Sequence, residues 1–114
     1  MILLAAVLSF WSSDWYEAYS RLDWAEMDSV AAGYTRDAGQ LAEAAIAAYG
    51  AGEGDPLALA KEAVDMDPGD FRGWTALALV EMREDSLFMD SLFSQAFSRC
   101  AEPDPVLLEI YAYW

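Results

Sequence analysis

Hydrophobic side chains recur at helical spacing through most of the chain, and turn-forming residues separate the periodic stretches. The clearest stretch places six side chains on one helical face: Met89, Leu92, Phe93, Ala96, Phe97 and Cys100. No alternation of apolar and polar residues extends beyond a few positions, and there is no Asn-Gly or Asp-Gly hairpin signal. The pattern therefore predicts an all-α fold.

Acidic residues mark the predicted helix starts, where a carboxylate can accept hydrogen bonds from the free N–H groups of the first turn. These residues are Asp14, Asp23, Asp37, Asp55 and Asp70. Asp14 with Glu17, and Asp37 with Gln40, have the spacing of a capping box. Gly50 is predicted to end the third helix as a C-cap glycine.

Short helices joined by turns of a few residues pack as antiparallel neighbours. The sequence accordingly predicts three helical hairpins, at 14–32, 37–66 and 70–100, followed by a last segment at 104–114. We interpret residues 14–114 as one helical domain and residues 1–13 as a separate apolar N-terminal segment.

The second half of the chain contains an approximate repeat. Asp67-Pro68 recurs 37 residues later as Asp104-Pro105, close to the 34-residue period of tetratricopeptide (TPR) repeats. Trp74-x2-Leu77-Ala78 matches the opening of the TPR pattern and Met89-x3-Phe93 matches its second helix, although Glu81 stands where tyrosine is expected. The chain therefore resembles the TPR family, most closely over residues 55–114. The resemblance implies a short right-handed solenoid of stacked hairpins that binds other proteins.

In TPR domains, residues of the first helix of each hairpin line the groove that receives a peptide. By position, the resemblance makes Phe71, Arg72, Thr75 and Leu79 the candidate partner-binding residues. The peptide-carboxylate clamp of some TPR domains requires lysine, arginine and asparagine in the groove. This chain has no asparagine and only 6 basic residues, so that binding mode is not expected.

The charge narrows the classes of partner. The chain of 114 residues has a net charge of −14, from 20 acidic and 6 basic residues, and no two basic residues are adjacent. Binding to nucleic acid requires clustered lysine and arginine, and an anionic membrane surface would repel this protein. We therefore expect a protein or peptide partner with a basic or apolar segment.

No constellation in the sequence predicts catalysis, a cofactor or a metal. Histidine is absent, which removes the most common general base and metal ligand. Asp65, Asp67 and Asp70 resemble the start of a calcium loop, but the glycine comes at the fifth place, and Ala76 occupies the twelfth. The glycines of 50–54 are followed by no Gly-Lys-Ser/Thr, so they do not predict a phosphate loop. The chain is therefore not expected to be an enzyme.

The two ends of the chain are apolar. Residues 2–11 form a run of about ten apolar residues, shorter than the roughly 20 that a membrane span needs. The length suits a signal peptide, but no Lys or Arg precedes the run and no Ala-x-Ala site follows it.

Two interpretations of this run stay open. In the first, it packs on the next hairpin or on another chain of a cytoplasmic scaffold. In the second, it is a signal or anchor, cleaved near Ser12–Asp14 if removed, of an exported or membrane-tethered assembly component, whose membrane contact would involve residues 1–11 alone. At the other end, the apolar run Tyr111–Trp114 predicts a surface for self-association.

Overall fold

The structure is a computed structural model that describes residues 11–33, 37–82 and 84–114. These residues form helices and contain no strand. The helices are α1 (Ser13–Ser20), α2 (Trp24–Ala31), α3 (Ala38–Ala51), α4 (Pro56–Met66), α5 (Phe71–Val80), α6 (Ser86–Ser98) and α7 (Pro105–Tyr113). The predicted all-α fold is thereby confirmed for the described part of the chain.

The helices follow the three predicted hairpins as α1–α2, α3–α4 and α5–α6, although α1 begins one residue before the predicted 14–32, and α7 lies in the last segment. Each helix packs against the next one along the chain, and α3 also packs against α5, the first helix of the following hairpin. The radius of gyration is 13.0 Å, close to the value of about 13 Å for a compact domain of this length. Of the predicted N-terminal segment, residues 1–10 lie outside the described residues.

Most helix starts are formed by the predicted acidic caps. The side chains of Asp23, Asp37, Asp55 and Asp70 each accept a hydrogen bond from a first-turn N–H, and Asp37 with Gln40 forms the predicted capping box. The cap predicted at Asp14 was wrong, because α1 begins at Ser13 and its N-cap is Ser12. There, the backbone N–H of Ser12 bonds to a side chain of α3, so a tertiary contact sets the start of α1.

The end of α3 also differs from the prediction. The C-cap is Gly52, whose φ of +71° suits the left-handed conformation that glycine adopts readily. Gly50 is still helical and lies beneath the indole of Trp24, where a Cβ would overlap the ring. Gly50 therefore provides space for packing between α2 and α3 rather than a helix end.

Small residues lie where helices approach closely. Ala63, Ala78 and Ala96 are fully buried. Helices α4 and α5 approach closely at Gly73, where a Cβ would come within 3.2 Å of the backbone nitrogen of Val64. The turn between these two helices is held by the carbonyl of Pro68, which accepts hydrogen bonds from the side chains of Trp74 and Arg99. Trp74 therefore has a packing and turn-fixing role.

The last helix returns to the beginning of the described chain. Trp11 is only 2% exposed, and its indole bonds to Asp104 at the start of α7. The hydroxyl of Tyr19 on α1 donates to Glu109 on α7 at 3.0 Å. Contacts therefore connect the first described residues to the last helix. Among the described helices, none combines the length and the apolar character required to cross a membrane.

Candidate partner-binding surfaces

Two of the four predicted partner-binding residues lie inside the protein. Phe71 is 4% exposed, and its ring meets the indole of Trp11 edge-on at a centroid distance of 5.9 Å. Thr75 is fully buried, and its hydroxyl donates to the carbonyl of Phe71 at 2.9 Å. These two side chains therefore contribute to the core in this structure, and their contact with a partner stays a prediction.

The other two predicted residues, Arg72 and Leu79, are half-buried. Leu79 packs at the edge of the core. The guanidinium of Arg72 donates to both carboxylate oxygens of Asp70, at 3.0 Å from Nε and 2.7 Å from Nη2. It also lies over Gly39 on α3, where a Cβ would overlap it. Arg72 therefore joins the start of α5 to the start of α3.

The ion pair sets the protonation of Asp70. Burial by itself would raise the pKa of this carboxyl, but the hydrogen bonds and positive charge of Arg72 outweigh burial and lower the pKa below its ordinary value. Asp70 also caps α5 by accepting from the backbone N–H of Arg72 at 3.0 Å. Both the backbone N–H and the guanidinium of Arg72 therefore bond to this carboxylate.

The chain's own residues cross the face on which the predicted groove would lie. The N–H of Ser12 donates to the carboxylate of Glu43 on α3 at 2.6 Å. Trp11 packs against Phe71 on α5 and bonds to Asp104 at the start of α7. Residues 11 and 12 thus contact the first helices of successive hairpins, so Trp11 occupies space on this face that a partner would otherwise use.

Glu43 is a buried acid that the sequence analysis did not single out. It is fully buried, its backbone carbonyl accepts from the indole of Trp15 at 3.0 Å, and its Oε1 has no hydrogen-bond partner among the described residues. The sequence around Glu43 indicates that this residue is buried. Helix α3 is apolar around nearly its whole circumference, which is the pattern of a helix covered by neighbours on several sides.

Asp104 is a second buried acid. Burial raises the pKa of its carboxyl, against the opposing effect of hydrogen bonds from the backbone N–H of Leu107 and the indole of Trp11. Burial and the hydrogen bond to Glu109 also raise the pKa of Tyr19. The shifted pKa values of Asp104 and Tyr19 thus occur where α7 bonds to the beginning of the described chain.

An open groove lies on α3 between α2 and α4. Its volume is about 240 Å³. Small or aliphatic side chains form much of its lining: Ala31, Ala32, Leu41, Ala44, Ala48 and Leu59. Asp28 and Glu53 add two acidic side chains to the lining. This surface was not predicted from sequence, because alanines on α2 and α3 give no signal that distinguishes an open groove from helix packing.

A second exposed surface is formed by α7. The ring of Tyr111 packs edge-on against Phe93 and Phe97, at centroid distances of 4.9 and 5.3 Å. Although these contacts anchor it, Tyr111 is 44% exposed; Leu108 is 43% exposed and Tyr113 85%. The outer side of α7 therefore presents large apolar side chains to solvent.

The described residues contain no group of three or more acidic or cysteine side chains placed to hold a metal ion. Of the acids considered as a calcium loop, Asp67 accepts from the backbone N–H of Gly69 at 3.1 Å, and Asp70 pairs with Arg72. The chain matches no protein-family model, no curated protein and no solved structure.

Proposed function

We propose that this protein is a TPR-type scaffold, without catalytic activity, that binds a segment of another protein. The observation that carries the proposal is the packing order, in which α3 contacts both its hairpin partner α4 and the first helix of the next hairpin, α5. This is the arrangement by which hairpins that cannot bury their own apolar faces become stable together. Such stacks provide elongated surfaces for partners, and in this proposal the stack is a short right-handed solenoid.

The chemistry of the described residues supports a binding role over catalysis. Perturbed pKa values are often a sign of an active site, but ion pairs and helix junctions also produce them. Here the perturbed carboxyls of Asp70 and Asp104 cap helices and bond to Arg72 and Trp11. Both carboxyls therefore have structural roles that account for their environments.

The net charge and the exposed apolar side chains favour a basic or apolar partner segment. With 20 acidic residues and a net charge of −14, the surface attracts cationic segments and disfavours anionic ones. The exposed face of α7, with Leu108, Tyr111 and Tyr113, supports self-association as a further property of the scaffold.

The packing of Trp11 bears on the alternative of a cleaved signal peptide. Cleavage near Ser12–Asp14 would remove Trp11, a core residue that is stacked on Trp15 at 5.0 Å and bonded to Asp104. We therefore propose that the folded protein keeps Trp11. N-terminal sequencing of the protein from its native cells tests this point, and a mature chain that begins after Trp11 would favour the exported component instead.

Chemical cross-linking in extracts of the native cells, followed by mass spectrometry, tests the scaffold function. We expect wild-type protein to cross-link reproducibly to a defined partner, and Arg72→Ala to reduce the yield if the face of α5 takes part. Lys61→Ala, at an exposed lysine on α4, is the control for the loss of a positive charge. Absence of any partner above the background of unfolded protein would contradict the proposal.

A further inference from the structure

We propose that the groove on α3 between α2 and α4 binds an α-helix of the partner protein that presents aliphatic side chains flanked by lysine or arginine. This inference rests on the proposed scaffold function, and it adds the location of the binding surface and the chemistry of the bound segment. The residues that line the groove do not include Trp15, Phe71 or Asp104, which Trp11 contacts.

The dimensions of the groove suit the side chains of a docked segment. Its volume of about 240 Å³ lies below the roughly 300–1,000 Å³ of pockets that enclose whole small molecules. Ala44 and Ala48 line it from α3, Ala31 from α2 and Leu59 from α4. Because these side chains are mostly small, another helix can approach to about 8 Å between axes, the lower end of helix packing distances.

The lining contains apolar surface that the described fold does not bury completely. Ala44 and Leu59 are half-buried, whereas their neighbours Ala45 and Ala60 are fully buried. Partly exposed apolar side chains at the bottom of a groove gain free energy when a partner removes them from water. The apolar part of the contact therefore supplies affinity.

The charges at the groove select the bound segment. Asp28 and Glu53 contribute acidic side chains, and none of the described lining residues is basic. Glu62, one helical turn beyond Leu59 on α4, adds an exposed acid along the same face. Because exposed ion pairs contribute little free energy each, we expect these acids mainly to accelerate association with basic segments and to exclude acidic ones.

A helical segment fits this surface better than an extended one. An extended peptide gains affinity by main-chain hydrogen bonds to a sheet edge, and the described residues contain no strand. Helices α2, α3 and α4 use their backbone groups within themselves and at their caps. A bound helix satisfies its own backbone, and its side chains can then fill the groove.

Fluorescence anisotropy with synthetic peptides tests the proposal on the full chain. The probe is a fluorescein-labelled amphipathic peptide of roughly 15 residues, long enough to be marginally helical in water, with leucines on one face and lysines on the other. One comparison peptide has glutamine in place of each leucine, and another has glutamate in place of each lysine. We expect the leucine–lysine peptide to bind at least about tenfold more tightly than either comparison.

A pair of identical substitutions locates the binding surface. Ala44→Arg fills the groove and adds a positive charge to it, whereas Ala101→Arg makes the same change at an exposed position between α6 and α7, away from the groove. We expect Ala44→Arg to weaken binding at least about tenfold and Ala101→Arg to leave it unchanged. The double substitution Asp28→Asn with Glu53→Gln keeps the shape of the groove, and it should lower both the affinity for the peptide and the salt dependence of binding. This variant tests the groove even if Ala44→Arg does not fold.

Three outcomes would overturn the groove assignment: no binding of the leucine–lysine peptide by wild type, equal weakening by both arginine substitutions, or equal binding of the peptide without leucine. These are distinguishable from failure of the scaffold function. If the cross-linked native partner is retained by Ala44→Arg, the scaffold function stands and the groove assignment falls. If no native partner is found, the scaffold function falls even when the peptide results support an accessible groove.

Discussion

The indole N–H of Trp11 donates to both carboxylate oxygens of Asp104, at 2.9 and 3.0 Å, across a separation of 93 residues. The same carboxylate caps α7 by accepting from the backbone N–H of Leu107 at 3.0 Å. Asp104 is 3% exposed, so these hydrogen bonds satisfy a carboxylate that has almost no access to water. The side chain of Asp104 therefore caps α7 and also holds Trp11, which lies two positions before the start of α1.

Removal of the Asp104 carboxylate should destabilise the protein more than removal of an ordinary cap. Asp104→Ala eliminates a helix cap, at about 1 kcal/mol, and leaves the buried indole N–H without its acceptor, at about 1–3 kcal/mol. We expect a total loss of about 2–4 kcal/mol in urea denaturation. Asp55→Ala, which removes an exposed cap of α4, should cost about 1 kcal/mol. Equal losses in the two variants would contradict a special role for Asp104.

Asp104 and Asp70 should contribute to the pH dependence of stability with opposite signs. Because the pKa of Asp104 is raised in the folded protein, the folded chain binds this proton more tightly than the unfolded chain does. Its contribution therefore falls as the pH rises from 3.8 through the raised pKa. Relative to Asp104→Asn, wild type should gain stability as the pH is lowered through that window.

The pKa of Asp70 is lowered in the folded protein, so its contribution to stability is present above its ordinary pKa of 3.8. That contribution is lost as the pH falls through the lowered value. The advantage of wild type over Asp70→Asn should accordingly shrink in acid. Denaturation of the three proteins over a range of pH measures both effects, and slopes of the same sign for the two variants would contradict this assignment.

The contact between Arg72 and Gly39 predicts coupling between two substitutions. Alanine is favoured over glycine in a helix by about 1 kcal/mol, yet a Cβ at Gly39 would overlap the guanidinium of Arg72 and displace it from Asp70. We expect Gly39→Ala to be neutral or destabilising in wild type. In an Arg72→Ala background the same change should be stabilising. Equal effects in both backgrounds, measured by a double-mutant cycle, would show that the two residues are independent.

The packing of Trp24 on Gly50 gives a test of the contact between α2 and α3. A Cβ at position 50 would overlap the indole of Trp24, and such overpacking costs about 1–3 kcal/mol. Gly50→Ala should therefore lower the thermal unfolding temperature and perturb the near-ultraviolet circular dichroism of tryptophan. Trp24→Ala should abolish the penalty for Gly50→Ala. If Gly50→Ala stabilises wild type, the close contact described here is wrong.

The exposed side of α7 predicts self-association. Leu108 and Tyr113 contribute apolar surface there, and large exposed patches of this kind mark interfaces. Sedimentation velocity should show a mass that rises with concentration for wild type and stays monomeric for Leu108→Glu with Tyr113→Glu. Leu87→Glu, at an exposed leucine of α6, is the matched control and should behave as wild type. A monomeric wild type would remove this property from the proposal.

Local chemistry was sufficient to predict most of the helices. The carboxylates of Asp23, Asp37, Asp55 and Asp70 act within two or three residues of themselves, so their roles can be identified from sequence. The end of α3 could not be predicted this way. Gly50 and Gly52 carry equal local signals, and the packing of the distant Trp24 on Gly50 is not encoded near either glycine.

The candidate site was less predictable than the helices. Helical spacing placed Phe71 and Thr75 on the first helix of a hairpin, but the spacing contains no information on what covers that helix. Phe71 is covered by Trp11, which lies 60 positions away along the chain. The groove on α3 depends on the relative positions of three helices, which no single stretch of sequence encodes.

The pairing of Trp11 with Asp104 also constrains how the protein is made. Synthesis proceeds at about 5–20 residues per second, so the ribosome adds Asp104 roughly 5–20 seconds after Trp11. During that interval a large aromatic side chain has been translated while the carboxylate that receives it does not yet exist. The nascent chain therefore carries an aromatic side chain without its acceptor, and the packing of Trp11 is completed only when α7 has left the ribosome.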